Sequence, residues 1–296
     1  MKSRLIAFTA AAFAACWGGA ANAKPLDVVA SFSVLGDIVS EVGGSHVAVM
    51  TLVGPEGDPH AFAPTPQDAQ VLAKADLVVV NGLGLEGFMD RLIAASGYGK
   101  DLVVASQGIA TREMDEEGET VTDPHVWNSA ANGAAYARTV AAALAKADPT
   151  NAKDYAANGE AYAAKLTALD AWAKQELAAI PAAKRKVITS HEAFGYLGAE
   201  YGVEFLAPQG ISTEAEASAA DVAKLIDQIK GEKIKAVFLE NSTDPRMAKQ
   251  IAKATGAKLG GTLYPESLTG PAGPAPTYLK MFRYNIETLV KGMKAN

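Results

Sequence analysis

The sequence contains one cysteine, Cys16, in 296 residues, so an intramolecular disulfide is excluded. This cysteine lies in an N-terminal stretch typical of a leader, and we therefore expect no thiolate ligand within the mature fold. Histidine is also scarce, with 4 residues in the chain. For that reason, a histidine in a repeated sequence context is a stronger signal here than in an average protein.

Positive charge is in deficit: 27 lysines and arginines against 33 acidic residues give a formal net charge of −6 at pH 7. An acidic chain is a poor partner for nucleic acid or for anionic lipid. After the leader, no run approaches the ~20 apolar residues that a membrane-spanning helix requires. We therefore expect a water-soluble protein that binds no nucleic acid.

Residues 1–23 have the three parts of a secretory signal peptide. Met1–Arg4 is basic, Leu5–Cys16 is apolar, and Ala21–Ala23 is a small-residue cleavage site. These features predict export by a cleavable signal peptide and a periplasmic mature protein. Phe13–Cys16 weakly resembles a lipoprotein cleavage box, so a lipid anchor is the second-ranked alternative.

Short apolar strands alternate with helices in two halves of the chain. The first half contains the predicted strands Leu26–Ser33, Val47–Val53, Leu77–Val80 and Leu102–Ala105. The second half contains the predicted strands Lys186–Thr189, Val203–Leu206, Ala236–Leu239 and Lys258–Leu263. This alternation indicates βα units, and so a parallel sheet covered by helices in each half.

One long amphipathic helix is predicted between the halves, after Asp148-Pro149 and ending at Ile180-Pro181. Tyr155, Tyr162 and Leu166 begin an apolar stripe with helical spacing. A long helix in mid-chain favours a strut that joins two α/β lobes. The predicted organisation is a signal peptide (1–23), an N-terminal α/β lobe (24–147), a long linking helix (148–181) and a C-terminal α/β lobe (182–296).

The segment Gly108–Thr122 interrupts the α/β pattern. It is polar and rich in acidic residues, and it ends directly before Asp123-Pro124-His125. We predict a solvated loop here. The weaker alternative is an acidic segment that attracts cations to the neighbouring site.

The tripeptide Asp-Pro-His occurs twice, at residues 58–60 and 123–125. Proline fixes its own φ and restricts the residue before it, so each tripeptide predicts a rigid turn. A rigid turn suits a metal ligand, whose imidazole has to be held in one orientation. Two copies in a chain with so few histidines favour metal ligation by His60 and His125 over an incidental turn.

A third histidine, His191, directly follows a predicted strand of the second half. In open α/β sheets, ligands gather at the carboxyl ends of the strands. His60, His125 and His191 are therefore expected around a cleft between the lobes. His46 opens a strand and has no proline before it, so an exposed edge is its expected position.

A fourth ligand is expected from the second half, and Glu192, Glu240 and Glu266 are its candidates. Glu266 follows the last strand behind Pro265, as the first two histidines follow prolines. Glu240 also ends a strand and stays open as a ligand. Its favoured alternative role is to cap the helix that begins near Asp244 or to pair with Arg246.

Six sequence blocks resemble those of the zinc- and manganese-type solute-binding proteins of bacterial ABC importers (the cluster A-I family). The blocks are Gly54-Pro55-Glu56-Gly57-Asp58-Pro59-His60, Pro64-Thr65-Pro66, Asp123-Pro124-His125-Val126-Trp127, Ser190-His191-Glu192-Ala193-Phe194-Gly195-Tyr196, Thr213-Glu214-Ala215-Glu216 and Leu263-Tyr264-Pro265-Glu266-Ser267-Leu268. They run in family order, so the resemblance covers the chain from Asp27 to its end.

The resemblance implies two α/β lobes joined by one long helix, with a single metal in the cleft between them. Carried over residue by residue, the family's ligands fall on His60, His125, His191 and Glu266. It further implies a membrane permease as partner and a protein that is not an enzyme. We expect a monomer.

Three features depart from the family pattern. Glu266 stands where Asp is more frequent, and the segment before His125 holds no histidine, although zinc-binding members often have a histidine-rich loop there. After Trp127 the chain reads Asn128-Ser129 instead of an acidic turn, which leaves the hydrogen bonding at this place open.

Zinc is the predicted cargo, because three imidazoles and one carboxylate form a nitrogen-rich set of ligands. Manganese, or iron, is the alternative.

A periplasmic metallohydrolase is disfavoured, since a catalytic zinc keeps an open coordination position and no His-Glu-x-x-His motif is present. An adhesin and a receptor for organic ligands are the remaining alternatives. The latter would leave the four ligands unexplained.

Overall fold

The computed structural model describes residues 24–116, 119–214, 217–294 and 296. The predicted signal peptide, with Cys16, lies outside the described residues, as do residues 215 and 216 of the fifth family block. Within the described part of the chain, no helix has both the length and the apolar character to cross a bilayer.

The first half forms a four-stranded parallel sheet. Its strands are β1 (Leu26–Phe32), β2 (Val47–Val53), β3 (Leu77–Val80) and β4 (Leu102–Val104), in the order β2-β1-β3-β4. Its helices are α1 (Ser33–Gly43), α2 (Pro66–Lys74) and α3 (Met89–Ser96). Val28 and Val29 are both buried although they point to opposite faces, as expected for a sheet covered on both sides. The strand order reverses beside β1, which marks a site for ligands in such sheets.

The acidic segment before Asp123 is a β-hairpin instead of the predicted solvated loop. Strands β5 (Glu113–Glu116) and β6 (Glu119–Thr122) pair antiparallel. Alternating residues such as Met114 and Val121 pair across the hairpin and are half-buried. The alternation of apolar and polar residues that predicts a strand is weak in this segment, because most of its residues are charged or polar. The polar composition therefore led to the prediction of a loop.

Two long helices, α4 (Ala130–Ala147) and α5 (Ala152–Ala178), lie between the two sheets in the sequence. A 3-10 turn, Pro149–Asn151, separates them, so α5 is shorter than the predicted 148–181 segment. The predicted apolar stripe of α5 is buried against α1 and α4. A Cβ on Gly159 would lie 2.6 Å from Ala141 Cβ, which explains a glycine where α4 and α5 approach each other. The division of the chain at residues 148 and 181 stays a prediction.

The second half forms another four-stranded parallel sheet. Its strands are β7 (Lys186–Ile188), β8 (Glu204–Leu206), β9 (Ala236–Glu240) and β10 (Lys258–Leu263), in the order β10-β9-β7-β8. Its helices are α6 (Gly195–Tyr201), α7 (Ala219–Glu232), α8 (Pro245–Thr255) and α9 (Tyr278–Met293). The fold is therefore the predicted pair of parallel-sheet α/β lobes. The strand order reverses between β7 and β9, and this position again favours a ligand site.

The larger apolar core is shared by both halves of the chain. It contains Phe32 and Trp127 from the first half together with Phe238 and Phe282 from the second. Helix α5 contacts both α1 and α9, and so contributes to this shared core. A smaller core lies between α7, α8 and the second sheet. Continuous packing of this kind holds the carboxyl ends of the two sheets in a defined relative position.

Candidate metal centre

Four buried side chains converge where the two lobes meet: His60, His125, His191 and Glu266. One nitrogen or oxygen of each lies within 4.8 Å of those of the other three. Glu266 Oε1 lies 2.9 Å from His60 Nε2, 3.3 Å from His125 Nε2 and 2.8 Å from His191 Nε2. Tetrahedral ligands with bonds of 2.0–2.1 Å stand about 3.3 Å apart, so the four atoms have nearly the spacing that one zinc-sized ion requires.

The two Asp-Pro-His turns are built in the same way. Asp58 Oδ1 accepts a hydrogen bond from the His60 backbone N–H at 2.9 Å, and Asp123 Oδ1 accepts one from His125 N–H at 3.0 Å. An aspartate that accepts from the residue two positions later closes an Asx turn. The repeated tripeptide thus encodes a repeated local geometry, which aims each imidazole at the centre.

The His125 ring is oriented by Asp123. Its Nδ1 lies 3.0 Å from Asp123 Oδ1, and the other carboxylate oxygen pairs with Arg112 Nη1, also at 3.0 Å. An ionised carboxylate can only accept, so Nδ1 carries the hydrogen and Nε2 presents a lone pair to the centre. A Cβ on Gly195 would collide with this Arg112–Asp123 pair, so the helix that follows His191 can approach only with a glycine here.

The His191 ring is oriented by Glu240, at an Nδ1–Oε2 distance of 2.6 Å. Glu240 Oε1 also accepts the backbone N–H groups of Ser190 and His191, at 2.9 and 3.3 Å. The expectation that Glu240 caps the next helix or pairs with Arg246 is therefore wrong. Asp244 pairs with Arg246 instead, at 2.6 Å.

Glu266 completes the centre as its carboxylate. Oε1 faces the three Nε2 atoms, whereas Oε2 is buried and has no hydrogen-bond partner among the described residues. A buried carboxylate oxygen without a partner is costly. The rings of His125 and His191 also turn their lone pairs toward this carboxylate, so acceptors face acceptors. Such an arrangement is stable only with positive charge in the middle, supplied by a metal cation or by protons.

The pKa shifts point in the same direction. Burial would lower the pKa of His125, but hydrogen bonds with Asp123 and Glu266 outweigh it and raise the pKa. Burial would also lower the pKa of His191, but attraction to Glu240 and Glu266 raises it well above its usual range. Burial would raise the pKa of Glu266, yet attraction to His191 and His60 holds it well below its usual range. The centre thus favours positive charge on its nitrogens and negative charge on its oxygens.

Asn128 ties the His125 segment to the second lobe. Its Nδ2 donates to the backbone carbonyls of Ala193 and Pro265, at 3.0 and 3.1 Å. Trp127 Nε1 also donates to the Pro265 carbonyl, at 2.7 Å. A carboxylate has no N–H to donate, so an acidic residue could not replace Asn128 in these contacts. The sequence did not indicate this role, because the bonds join segments far apart in the chain.

The other candidates lie outside this cluster. His46 pairs with Asp154 at an Nε2–Oδ2 distance of 3.0 Å, and its side chain is 30% exposed. This partly exposed side chain agrees with the predicted position of His46 at an exposed edge. Glu192 lines a separate cavity of about 270 Å³ together with Arg112 and Phe194.

The fold and this centre define the class of two-lobed solute-binding proteins, here with donors suited to a metal cation. The chain matches the model of the family described as zinc-uptake complex component A, periplasmic (ZnuA), over residues 28–292. The protein therefore belongs to the ZnuA family. This agrees with the resemblance recognised in its sequence blocks.

Named relatives cover almost the whole chain. The iron-binding protein YfeA of Yersinia pestis is 35% identical over 92% of this chain and 87% of its own length. The manganese-binding lipoprotein MntA of Bacillus subtilis is 34% identical over 92% and 90%, respectively.

Solved structures with the same fold include the periplasmic zinc-binding protein TroA of Treponema pallidum. Its TM-score is 0.86 at 29% identity, covering 91% of this chain and 99% of TroA. A manganese-bound periplasmic metal-binding protein of Candidatus Liberibacter asiaticus has a TM-score of 0.82 at 32% identity, covering 90% and 99%. Members of one fold family are thus named for iron, manganese and zinc.

Proposed function

We propose that this protein captures a divalent transition metal in the periplasm and delivers it to the permease of an ABC importer. The single observation that carries the proposal is the buried meeting of three imidazole nitrogens with the Glu266 carboxylate, two of the rings being oriented by Asp123 and Glu240. Oriented imidazoles with carboxylate partners are typical of metal ligands. Family membership supports the transport role.

Zinc is the metal that we propose, held by His60, His125, His191 and Glu266. Three nitrogens and one oxygen suit the tetrahedral preference of zinc, and zinc binds nitrogen-containing sites more tightly than manganese. Manganese or iron is the alternative cargo. It is favoured by the names of the relatives and by Glu266 Oε2, which is free to bind as a fifth ligand atom and so raise the coordination number.

We further propose that the protein acts as a monomer and catalyses no reaction. Four protein ligands fill a tetrahedral zinc shell, so no position is left for the water that a hydrolytic zinc requires.

We propose that the protein reaches the periplasm by export with cleavage of the signal peptide after Ala23. A lipid anchor is the alternative, since several relatives are named lipoproteins. Intact-mass measurement on protein from the native host separates a chain starting at Lys24 from one acylated on Cys16.

Equilibrium dialysis of the metal-stripped protein is expected to give one bound zinc ion per chain, and less manganese at equal free concentrations. The reason is that the described residues contain one cluster of nitrogen-rich ligands. Metal content is measured by elemental analysis. Failure of the wild-type protein to retain any of zinc, manganese or iron would contradict the proposed function.

The physiological cargo is tested by deleting the gene in its host. Slow growth in zinc-depleted medium that added zinc rescues is the expected result. A defect that manganese rescues and zinc does not would replace zinc by manganese as the cargo.

Zinc affinity is expected to fall steeply as the pH is lowered from 8 to 5.5. Protons compete for the same nitrogens, and the raised pKa values of His125 and His191 mean that this competition begins above the ordinary value of about 6.5. Competition titration with a chelator at each pH measures the effect. An affinity that does not change over this range would argue against a site with three histidines.

A further inference from the structure

One side of the candidate metal centre borders a cavity of about 260 Å³. Leu83 and Leu85 of the first half line it, as do Ile211 and Ser212 of the second, so the cavity lies between the two lobes. Of the four candidate ligands, His60 lines this cavity. Its side chain is 5% exposed, whereas those of His125, His191 and Glu266 are completely buried. Of the four candidate ligands, His60 is therefore the one nearest to solvent.

The His60 ring is also the one with the fewest restraints. His125 and His191 are each oriented by a carboxylate on Nδ1. In the described part of the chain, no carboxylate lies within hydrogen-bond distance of the corresponding nitrogen of His60. The position of His60 depends instead on its backbone turn, in which Asp58 Oδ1 accepts from His60 N–H at 2.9 Å and from Ala61 N–H at 3.3 Å.

The second oxygen of Asp58 is bound from across the cleft. Thr213 Oγ1 donates to Asp58 Oδ2 at 2.7 Å, between residues 155 positions apart in the chain. The bond is partly buried, and Thr213 lies between Ser212 and Glu214, which both line the cavity beside His60. One hydroxyl of the second lobe is thus attached to the turn that carries a ligand of the first.

We infer that Thr213 is a positioning residue for this centre: through Asp58 it holds the His60 turn closed, and so it slows the release of a bound metal. The inference rests on the proposed function. When the Thr213–Asp58 bond breaks, the turn that carries His60 loses one of its links to the second lobe, and the contact of the His60 ring with Glu266 remains. The His60 ring can then move toward the cavity, and water can reach the metal. Release is fast where this bond is weak and slow where it is strong.

The test compares Thr213→Val with Thr213→Ser in the full mature chain loaded with zinc. Valine keeps the shape of threonine but lacks the hydroxyl, whereas serine keeps the hydroxyl. A hydrogen bond to a charged group contributes more than one between neutral groups. Solvent weakens this one because it is partly exposed, so we expect loss of the hydroxyl to change the rate of zinc release about tenfold. Stopped flow measures the rate of zinc release to an excess of chelator. We expect this rate to be about tenfold higher in Thr213→Val than in the wild type, and close to the wild-type rate in Thr213→Ser.

Thr255→Val is the matched control. The Thr255 hydroxyl is also half-buried and hydrogen-bonded, to the carbonyl of Ile251 at 2.8 Å, but it lies at the end of α8, outside the cluster. Its removal should leave the release rate unchanged. If Thr213→Val does not fold, Thr213→Ala replaces it in the same comparison.

The inference is overturned if the hydroxyl-free variant releases zinc within twofold of wild type, or if the serine variant is as fast as the valine variant. Both outcomes presuppose that wild-type protein binds zinc. A wild-type protein that retains none of zinc, manganese and iron contradicts the proposed function instead, so the two failures are distinguishable.

Discussion

Replacing His191 by alanine is expected to weaken zinc binding by more than a hundredfold. Loss of a residue that only supports a metal ligand already costs about 10–100-fold in affinity, and His191 is a proposed ligand itself. Its Nε2 lies 2.8 Å from Glu266 Oε1, at the middle of the cluster. Chelator competition and isothermal titration at pH 7.5 measure the change.

Two further variants show that the loss is specific. His46→Ala removes a histidine that contacts Asp154 at the surface, and it should leave the zinc affinity within twofold of wild type. His60→Ala removes a proposed ligand whose Nδ1 has no carboxylate partner among the described residues, whereas His191→Ala also takes away the imidazole that pairs with the buried Glu240. Circular dichroism of the metal-free proteins checks that each variant is folded. An equal loss in His46→Ala and His191→Ala would show that the ligand assignment is wrong.

Replacing Glu240 by glutamine is expected to weaken zinc binding by about 10–100-fold, although Glu240 is not one of the four proposed ligands. The carboxylate accepts from His191 Nδ1 with one oxygen and from two backbone N–H groups with the other. Glutamine has the same shape but only one oxygen. Its amide nitrogen must face either the imidazole N–H or the backbone N–H groups, so one side always sets donor against donor.

The consequence for His191 distinguishes this variant from a general loss of stability. Without the carboxylate, the Nδ1 hydrogen is no longer favoured, and a ring with its hydrogen on Nε2 cannot bind a metal through that atom. Heteronuclear NMR of the imidazole nitrogens reports the tautomer directly.

Asp244→Asn is the control for Glu240→Gln. It changes an exposed carboxylate in the loop after the same strand, and asparagine is also a good helix cap, so the zinc affinity should not change. A Glu240→Gln protein that binds zinc as tightly as wild type would show that Glu240 does not support the centre.

Most of the fold was predictable because its signals are local. Predicted and observed strands agree closely, for example Leu26–Ser33 with Leu26–Phe32 and Lys258–Leu263 with the same residues. The strand predicted from Val47 to Val53 also has these bounds in the structure. Runs of apolar residues and the breakers between them act within a few positions of the chain, so they can be read without knowledge of the tertiary structure.

The failures have a common cause in contacts between distant residues. The β5–β6 hairpin is largely exposed, but Met114 and Val121 are half-buried beside other segments of the chain, which a polar composition does not indicate. Glu240 looked like a helix cap because Asp244 and Arg246 are its near neighbours in sequence. Its actual partner, His191, is 49 positions away and is reached only because β7 and β9 are adjacent in the sheet.

By itself, the sequence determined the two α/β halves, the long helix between them and the rigid turns that carry His60 and His125. These properties follow from the periodicity of apolar residues and from proline, which act through the local backbone. Only the tertiary structure decided that the side chains of His60, His125, His191 and Glu266 meet. It also decided that Glu240 and Asn128 support them and that Thr213 reaches Asp58. Strand order and lobe packing set these distances, and both result from the burial of apolar surface over the whole chain, which no short segment encodes.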